Sequence, residues 1–152
     1  MAKLIILSGI PGSGKSTFAK EYNEGPLVIL STDNIRRMIT GDAGCLDKDD
    51  VMWKYIYEIL AKPHVNATYI VDATNLVFKR RKSYLEYHRN FDTVELIYLH
   101  VDLQTALERN AQRDRHVPEH VIKNMYEMAS ANMNFMDLLD AGYDKVTIIK
   151  NV

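Results

Sequence analysis

The stretch LIILSGIPGSGKST, residues 4–17, decides the reading of this chain. Leu4–Leu7 is a strand-like apolar run, and beyond Ser8 it gives way to three glycines, a lysine and hydroxyl side chains. Within it, Gly9-x-x-x-x-Gly14-Lys15-Ser16 has the spacing of a phosphate-binding P-loop, set between a strand and a helix as that motif requires. Glycines let successive backbone N–H groups turn toward an anion, so the loop (Gly9, Pro11, Gly12, Ser13 and Gly14) is expected to wrap the phosphates of ATP. Lys15 is expected to reach the β- and γ-phosphates and Ser16 to offer its hydroxyl to Mg²⁺, with Thr17 completing the nucleotide-binding set. The helix that follows adds its positive N-terminal dipole.

Apolar runs of strand length recur at 3–7, 27–30, 68–72, 94–101 and 145–149. Between them lie segments with helical spacing, at about 15–23, 33–39, 48–61, 77–89, 103–112 and 118–139. Continuous rather than alternating apolar character marks strands covered on both faces. The alternation predicts an α/β fold, a five-stranded, mostly parallel sheet with helices on both sides. Ligands of such sheets bind beyond the carboxyl ends of the strands. There the polar residues gather: Gly9–Thr17 after the first strand, Ser31, Thr32 and Asp33 after the second, Asp72, Thr74 and Asn75 after the third, and Asp102 after the fourth.

A chain of 152 residues is sized for a single domain over 1–152. With 47% hydrophobic and 26% charged residues and no low-complexity tract, it reads as a soluble globule rather than a disordered or fibrous chain. No apolar run approaches the ~20 residues of a membrane helix. The loop residues fall within the first fifteen positions, which argues against a cleaved signal peptide and makes the cytoplasm (the host's, for a viral source) the expected compartment. Cys45 stands alone, an inert thiol with no disulfide framework, and no zinc site is expected of the five histidines. A net charge of −1 supplies no global field, so contact with nucleic acid is expected to be local and brief.

A P-loop alone does not say which acceptor receives phosphate. The length argues against a motor, and there is neither an NKxD guanine-reading segment nor a strand ending in an Asp-Glu pair suited to activating water. Transfer to an alcohol or phosphate acceptor is therefore expected. In STDNIRR (31–37), Asp33 stands just beyond the second strand, where a carboxylate can take the proton of an attacking hydroxyl; the alternative is that Ser31 or Thr32 is the helix N-cap and Asp33 only favours the first turn electrostatically. Arg36, one turn along the same face, is placed to hold an acceptor phosphate, and Arg37 faces solvent. In ERNAQRDRHVPEH (108–120), Arg109 and Arg113 at i, i+4 precede a charged turn ending at Pro118. They predict an arginine-bearing lid over roughly 109–120 that stabilises charge on the transferred group, with Arg115 and His116 as lid surface.

In IVDATN (70–75), Asp72 is a candidate for holding Mg²⁺ through water or orienting the acceptor, and Thr74 and Asn75 for lining the acceptor channel. The alternative is an Asx-turn closing the strand. FKRRKSYLEYHR (78–89) crowds Lys79, Arg80, Arg81, Lys82 and Arg89 with Tyr84 and Tyr87 on one short helix. It reads as a solvated outer face with Leu85 inward, a nucleic-acid backbone contact being the alternative. Met125, Met128, Met133 and Met136 read as packing, as do Trp53, Tyr55 and Tyr57, for which base stacking is the other possibility.

GIPGSGKST, STDNIRR, DATN and ERNAQRDRHVPEHVI…MY, in this order and spacing, resemble the kinase domain of phage-type polynucleotide 5′-hydroxyl kinases. That family lies within the P-loop group that also includes zeta-toxin-like and other small-metabolite kinases. The similarity covers nearly the whole chain, with the 40–66 region, where acceptor specificity would be expressed, matching poorly. The resemblance implies that Lys15 and Ser16 serve ATP and Mg²⁺, that Asp33 is the general base, that Arg36 contacts the acceptor's phosphate and that Arg109 and Arg113 belong to the lid. The implied activity is transfer of the γ-phosphate of ATP to the 5′-hydroxyl of DNA or RNA. The other readings are a kinase of a small alcohol, nucleoside or nucleotide sugar, and a nucleotide-binding regulatory module.

Overall fold

The computed structural model of the chain describes residues 2–114 and 116–150. Five strands, β1 (Ala2–Ser8), β2 (Leu27–Ser31), β3 (Thr68–Asp72), β4 (Phe91–His100) and β5 (Lys145–Lys150), form one sheet in the order β2-β3-β1-β4-β5. Every pairing in it is parallel. β1 is central, with Ile5 opposite Ile70 of β3 and Glu95 of β4. Because β1 and β3 are neighbours whose connections leave in opposite directions, to β2 and β4, a crevice opens at their carboxyl ends.

Alternation along β1 sends its side chains to two faces of unequal size. Ile5 and Leu7 pack with Ile70, Ile97 and Leu99 beneath Ala19 and Phe18 of α1 (Lys15–Glu21). Leu4 and Ile6 face the larger core, built from α2 (Thr32–Thr40), α3 (Asp49–Ala61), α5 (Leu103–Ala111), α6 (Glu119–Asn132) and α7 (Phe135–Asp140). Met52, Ile56, Leu60, Ala106 and Ile122 are wholly buried there. Each large aliphatic side chain so buried contributes roughly 1.5–3 kcal/mol. Helices thus cover both faces, as expected, but one of them is covered mainly by α1. Among the described residues no helix is long and apolar enough to cross a membrane.

Two expected helices are interrupted. The helical spacing over 77–89 resolves into α4 (Phe78–Ser83) and a 3-10 helix, Tyr84–Asn90. In a 3-10 helix residues i and i+3 eclipse, which brings Tyr84 and Tyr87 together onto Tyr57 of α3, at ring distances of 6.1 and 5.6 Å. The span 118–139 divides into α6 and α7 at Met133, which turns into the core beside Ser8 and Arg81. Asn134 then caps α7, accepting from the Met136 N–H at 2.9 Å.

Candidate active site

The loop after β1 owes its shape to close approach. A Cβ on Gly9 would lie 2.4 Å from Ser13 Oγ and 2.8 Å from the Leu99 carbonyl oxygen of β4, so only glycine fits. Gly12 sits at φ +87°, in the left-handed region, where an added Cβ would lie 3.1 Å from the Ala106 carbonyl oxygen of α5. The Gly9 N–H donates to the Thr74 carbonyl at 2.9 Å, which ties the loop to the end of β3. Lys15 Nζ donates to the Gly9 and Ile10 carbonyls at 2.9 and 3.1 Å. Burial pushes its ammonium down to about 8, against the pull of the Asp72 and Asp33 carboxylates and with a push from Arg113.

Ser16 Oγ donates to Asp72 Oδ2 at 2.9 Å. A hydroxyl and one carboxylate at the mouth of an anion-binding loop suit Mg²⁺, which keeps several waters and takes its remaining oxygens from substrate phosphates. Among the described residues no group of three or more His, Cys, Asp or Glu side chains gathers as an alternative. Asp72 thus meets Ser16 at the mouth of the loop.

Across the cleft, Ser31 caps α2 by accepting from the Asn34 N–H at 3.3 Å. The Asp33 carboxylate is thereby left to meet arginines: Arg36 Nη1 at 3.4 Å and Arg113 Nη2 at 3.8 Å. Arg36 is held by a residue the sequence reading did not single out. Asp49, in the first turn of α3, accepts from Arg36 Nε at 2.8 Å and from Nη2 at 2.9 Å, a two-pronged pair. Arg37 is exposed, as expected.

The lid arginines do not share a helical face as their spacing predicts, because α5 ends at Ala111. Arg109, within the helix, donates to the Gly12 carbonyl at 2.8 Å and braces the P-loop. Arg113, in the turn beyond, reaches Asp33. Buried Asn110 pins that turn, donating to the Val117 carbonyl at 2.7 Å and accepting from the Val117 N–H at 2.9 Å. Pro118 then caps α6. His116 is exposed, and Arg115 lies outside the described residues.

Asn75 borders the cleft, and its side chain is bonded to the scaffold: Nδ2 donates to the Leu7 carbonyl at 2.6 Å, and Oδ1 accepts from the Tyr84 hydroxyl at 2.8 Å. Thr74 is half-buried on the cleft wall. The basic run after it is not simply a solvated face. Arg81 is buried and donates to the carbonyls of Asn75 and Asn132, at 3.0 and 3.1 Å. Arg80 lies over Trp53, with Cζ 3.6 Å from the ring centroid, and Nη1 donates to the Tyr57 hydroxyl at 2.7 Å. Lys79, Arg80 and Trp53 line the cleft, whereas Tyr55 is exposed.

The nucleotide-side and acceptor-side groups share one cleft of about 1510 Å³. Its walls include the loop residues Pro11, Gly12, Gly14, Lys15, Ser16 and Thr17, together with Asp33, Arg36, Asp72, Thr74, Arg109 and Arg113. Residues 4–131 match the sequence model of a family described as an AAA domain. The chain belongs to that family. The chain is 33% identical over 135 residues to the L-seryl-tRNA(Sec) kinase of Methanococcus maripaludis, a match covering 82% of this chain and 51% of that protein. It therefore spans about half the length of that relative. Among solved structures, a chain of the Pnkp1/Rnl/Hen1 RNA repair complex superimposes with a TM-score of 0.72 at 22% identity, covering 87% of this chain and 45% of that one. A gluconokinase from Sinorhizobium meliloti 1021 gives 0.62 at 19% identity, over 97% of this chain and 82% of its own. These likenesses show the fold, which is P-loop kinase-like.

Proposed function

We propose that the chain is an ATP-dependent kinase whose acceptor is the 5′-hydroxyl end of a polynucleotide. One observation carries the reading: the Asp33 carboxylate and the Lys15 ammonium face the same cleft, near enough that Asp33 alters the proton affinity of Lys15. A hydroxyl seated between them has a base on one side and a phosphate cradle on the other. Its oxygen attacks the γ-phosphorus in line, the bond to the β-phosphate oxygen breaks, ADP leaves and the hydroxyl proton passes to Asp33. Ser16 and Asp72 would hold Mg²⁺, which when bound supplies positive charge to the terminal phosphates. Arg113, paired with Asp33, is placed to meet the charge of the transferred group, and Arg36 the acceptor's neighbouring phosphate.

Labelled ATP and a 5′-hydroxyl oligonucleotide test the reading. Label is expected on the oligonucleotide, and Asp33→Asn is expected to lower turnover by about 10²–10⁴-fold while ADP still binds. Absence of transfer by a protein that binds ATP would end it. A second reading follows from the identity shared with the seryl-tRNA kinase, in which the acceptor hydroxyl is carried by an aminoacyl group on tRNA. Seryl-tRNA, offered beside the 5′-hydroxyl oligonucleotide, separates the two by which one takes the label.

A further inference from the structure

We propose that the Arg80–Trp53 wall is a second anion subsite of the acceptor channel, one that takes an internucleotide phosphate beyond the phosphate at Arg36. The inference rests on the polynucleotide reading above and adds to it a length requirement: the acceptor must be a strand rather than a single nucleotide.

Three observations converge on Arg80. Its charge is left uncompensated, since among the described residues no carboxylate lies within ion-pair distance of it, whereas Arg36 is neutralised by Asp49 and Arg113 faces Asp33. It is also held in place beforehand. The guanidinium carbon sits 3.6 Å from the Trp53 ring centroid and one N–H is fixed by Tyr57, whose hydroxyl is in turn 2.6 Å from Ser83 Oγ. Of five guanidinium N–H donors, the rest are left for a ligand, and a planar fork of donors suits a phosphate better than any neutral group. A cation fixed on an aromatic face gives up little side-chain freedom when it binds.

The placement fits a strand. Asp49, Trp53 and Tyr57 are spaced by four residues, so they form one stripe along α3. Asp49 holds Arg36, and Trp53 with Tyr57 holds Arg80. Four residues of helix rise by about 6 Å, comparable with one nucleotide step of an extended strand. One helix face thus presents two arginines to successive phosphates, and Lys79 lines the same cleft.

The test compares two acceptors, a nucleoside 3′-monophosphate and a 5′-hydroxyl tetranucleotide. Wild-type enzyme is expected to prefer the tetranucleotide through a lower KM. Arg80→Ala should cut that preference about tenfold, as loss of a charge-assisted hydrogen bond does, and flatten the salt dependence of tetranucleotide binding by about one phosphate contact. Trp53 is the one tryptophan of the chain, so its fluorescence reads occupancy directly without turnover. Tetranucleotide is expected to change that signal, and the monophosphate is not. Arg80→Lys, which keeps charge but loses the fork, should fall between wild type and Arg80→Ala, and it carries the comparison if Arg80→Ala lowers the melting temperature. An unchanged preference with a silent Trp53 overturns the subsite and leaves the kinase reading standing. If neither acceptor is phosphorylated, the polynucleotide reading falls and the subsite falls with it.

Discussion

On the nucleotide side of the cleft, polar groups are fastened mainly to main chain; on the acceptor side they are fastened to one another. Lys15 rests on two loop carbonyls and Arg109 on a third, and the loop itself is tied to β3 through the Thr74 carbonyl. Asp33, Arg36 and Asp49 form a chain of side-chain charges instead, and Arg80 depends on Trp53 and Tyr57. Backbone supports move only when the sheet moves, whereas side-chain supports can be exchanged one at a time. The difference teaches that the donor wall is suited to a fixed task and the acceptor wall to a variable one.

The sharpest way to break this contrast is on the main-chain side. Gly9→Ala drives a methyl group into Ser13 and the β4 backbone, and the loop must shift as a unit. Overpacking of this kind costs about 1–3 kcal/mol. The larger consequence is for the ligand, because Lys15 hangs on the Gly9 carbonyl. A displacement on the order of 1 Å costs about 10²-fold in function, so ADP affinity by calorimetry should fall by at least that much. An Ala variant that binds ADP normally would show that the loop is not held as rigidly as its contacts imply.

A smaller effect reads the same wall by pH. Burial lowers the Lys15 ammonium to about 8, so the free protein sheds that proton above pH 8, and a bound phosphate restores it. ADP affinity should therefore be flat below about pH 7 and decline above 8, approaching about tenfold per pH unit. Lys15→Met should bind weakly with no such slope. Because the folded value lies below the ordinary lysine value, unfolded chain binds the extra proton between the two, and the free protein gains stability as pH rises from 8 toward 10.5. Melting temperatures across that range, in wild type and Lys15→Met, check the sign.

Legibility in the sequence follows the same division. The P-loop could be read because its residues act on neighbours a few positions away, and the sheet because buried parallel strands are continuous apolar runs. The Ser31 cap was legible for the same local reason. Asp49 was not: its partner lies 13 residues away, and an aspartate in a first helical turn already has a sufficient explanation in the helix dipole. Arg81 was misread because composition marks it as a surface residue, while the fold brings α4 back over β3 and supplies buried carbonyls to meet it. The end of α6 escaped because a polar anchor, Asn134, starts a new helix where apolar spacing would let the first continue.

The acceptor wall is tested most finely at Asp49, where two effects oppose. Asp49→Asn removes a negative charge beside Arg36, which by itself strengthens the attraction of that arginine for a phosphate. It also removes one of two prongs that fix the guanidinium, and a long side chain set free must be reordered by substrate at up to about 2 kcal/mol. Arg36 is only 17% exposed, so its orientation matters more than its reach into solvent, and positioning should win. The expected outcome is a roughly three- to tenfold rise in acceptor KM, the size of one modest charge-assisted contact, with the ADP affinity unmoved. Arg36→Ala alone should do more. Adding Asp49→Asn to Arg36→Ala should then change nothing further, since the carboxylate acts through the arginine. If the second substitution instead lowers activity again by its full single-mutant factor, Asp49 serves α3 or the substrate directly and the side-chain chain from α3 to Asp33 is broken at its first link.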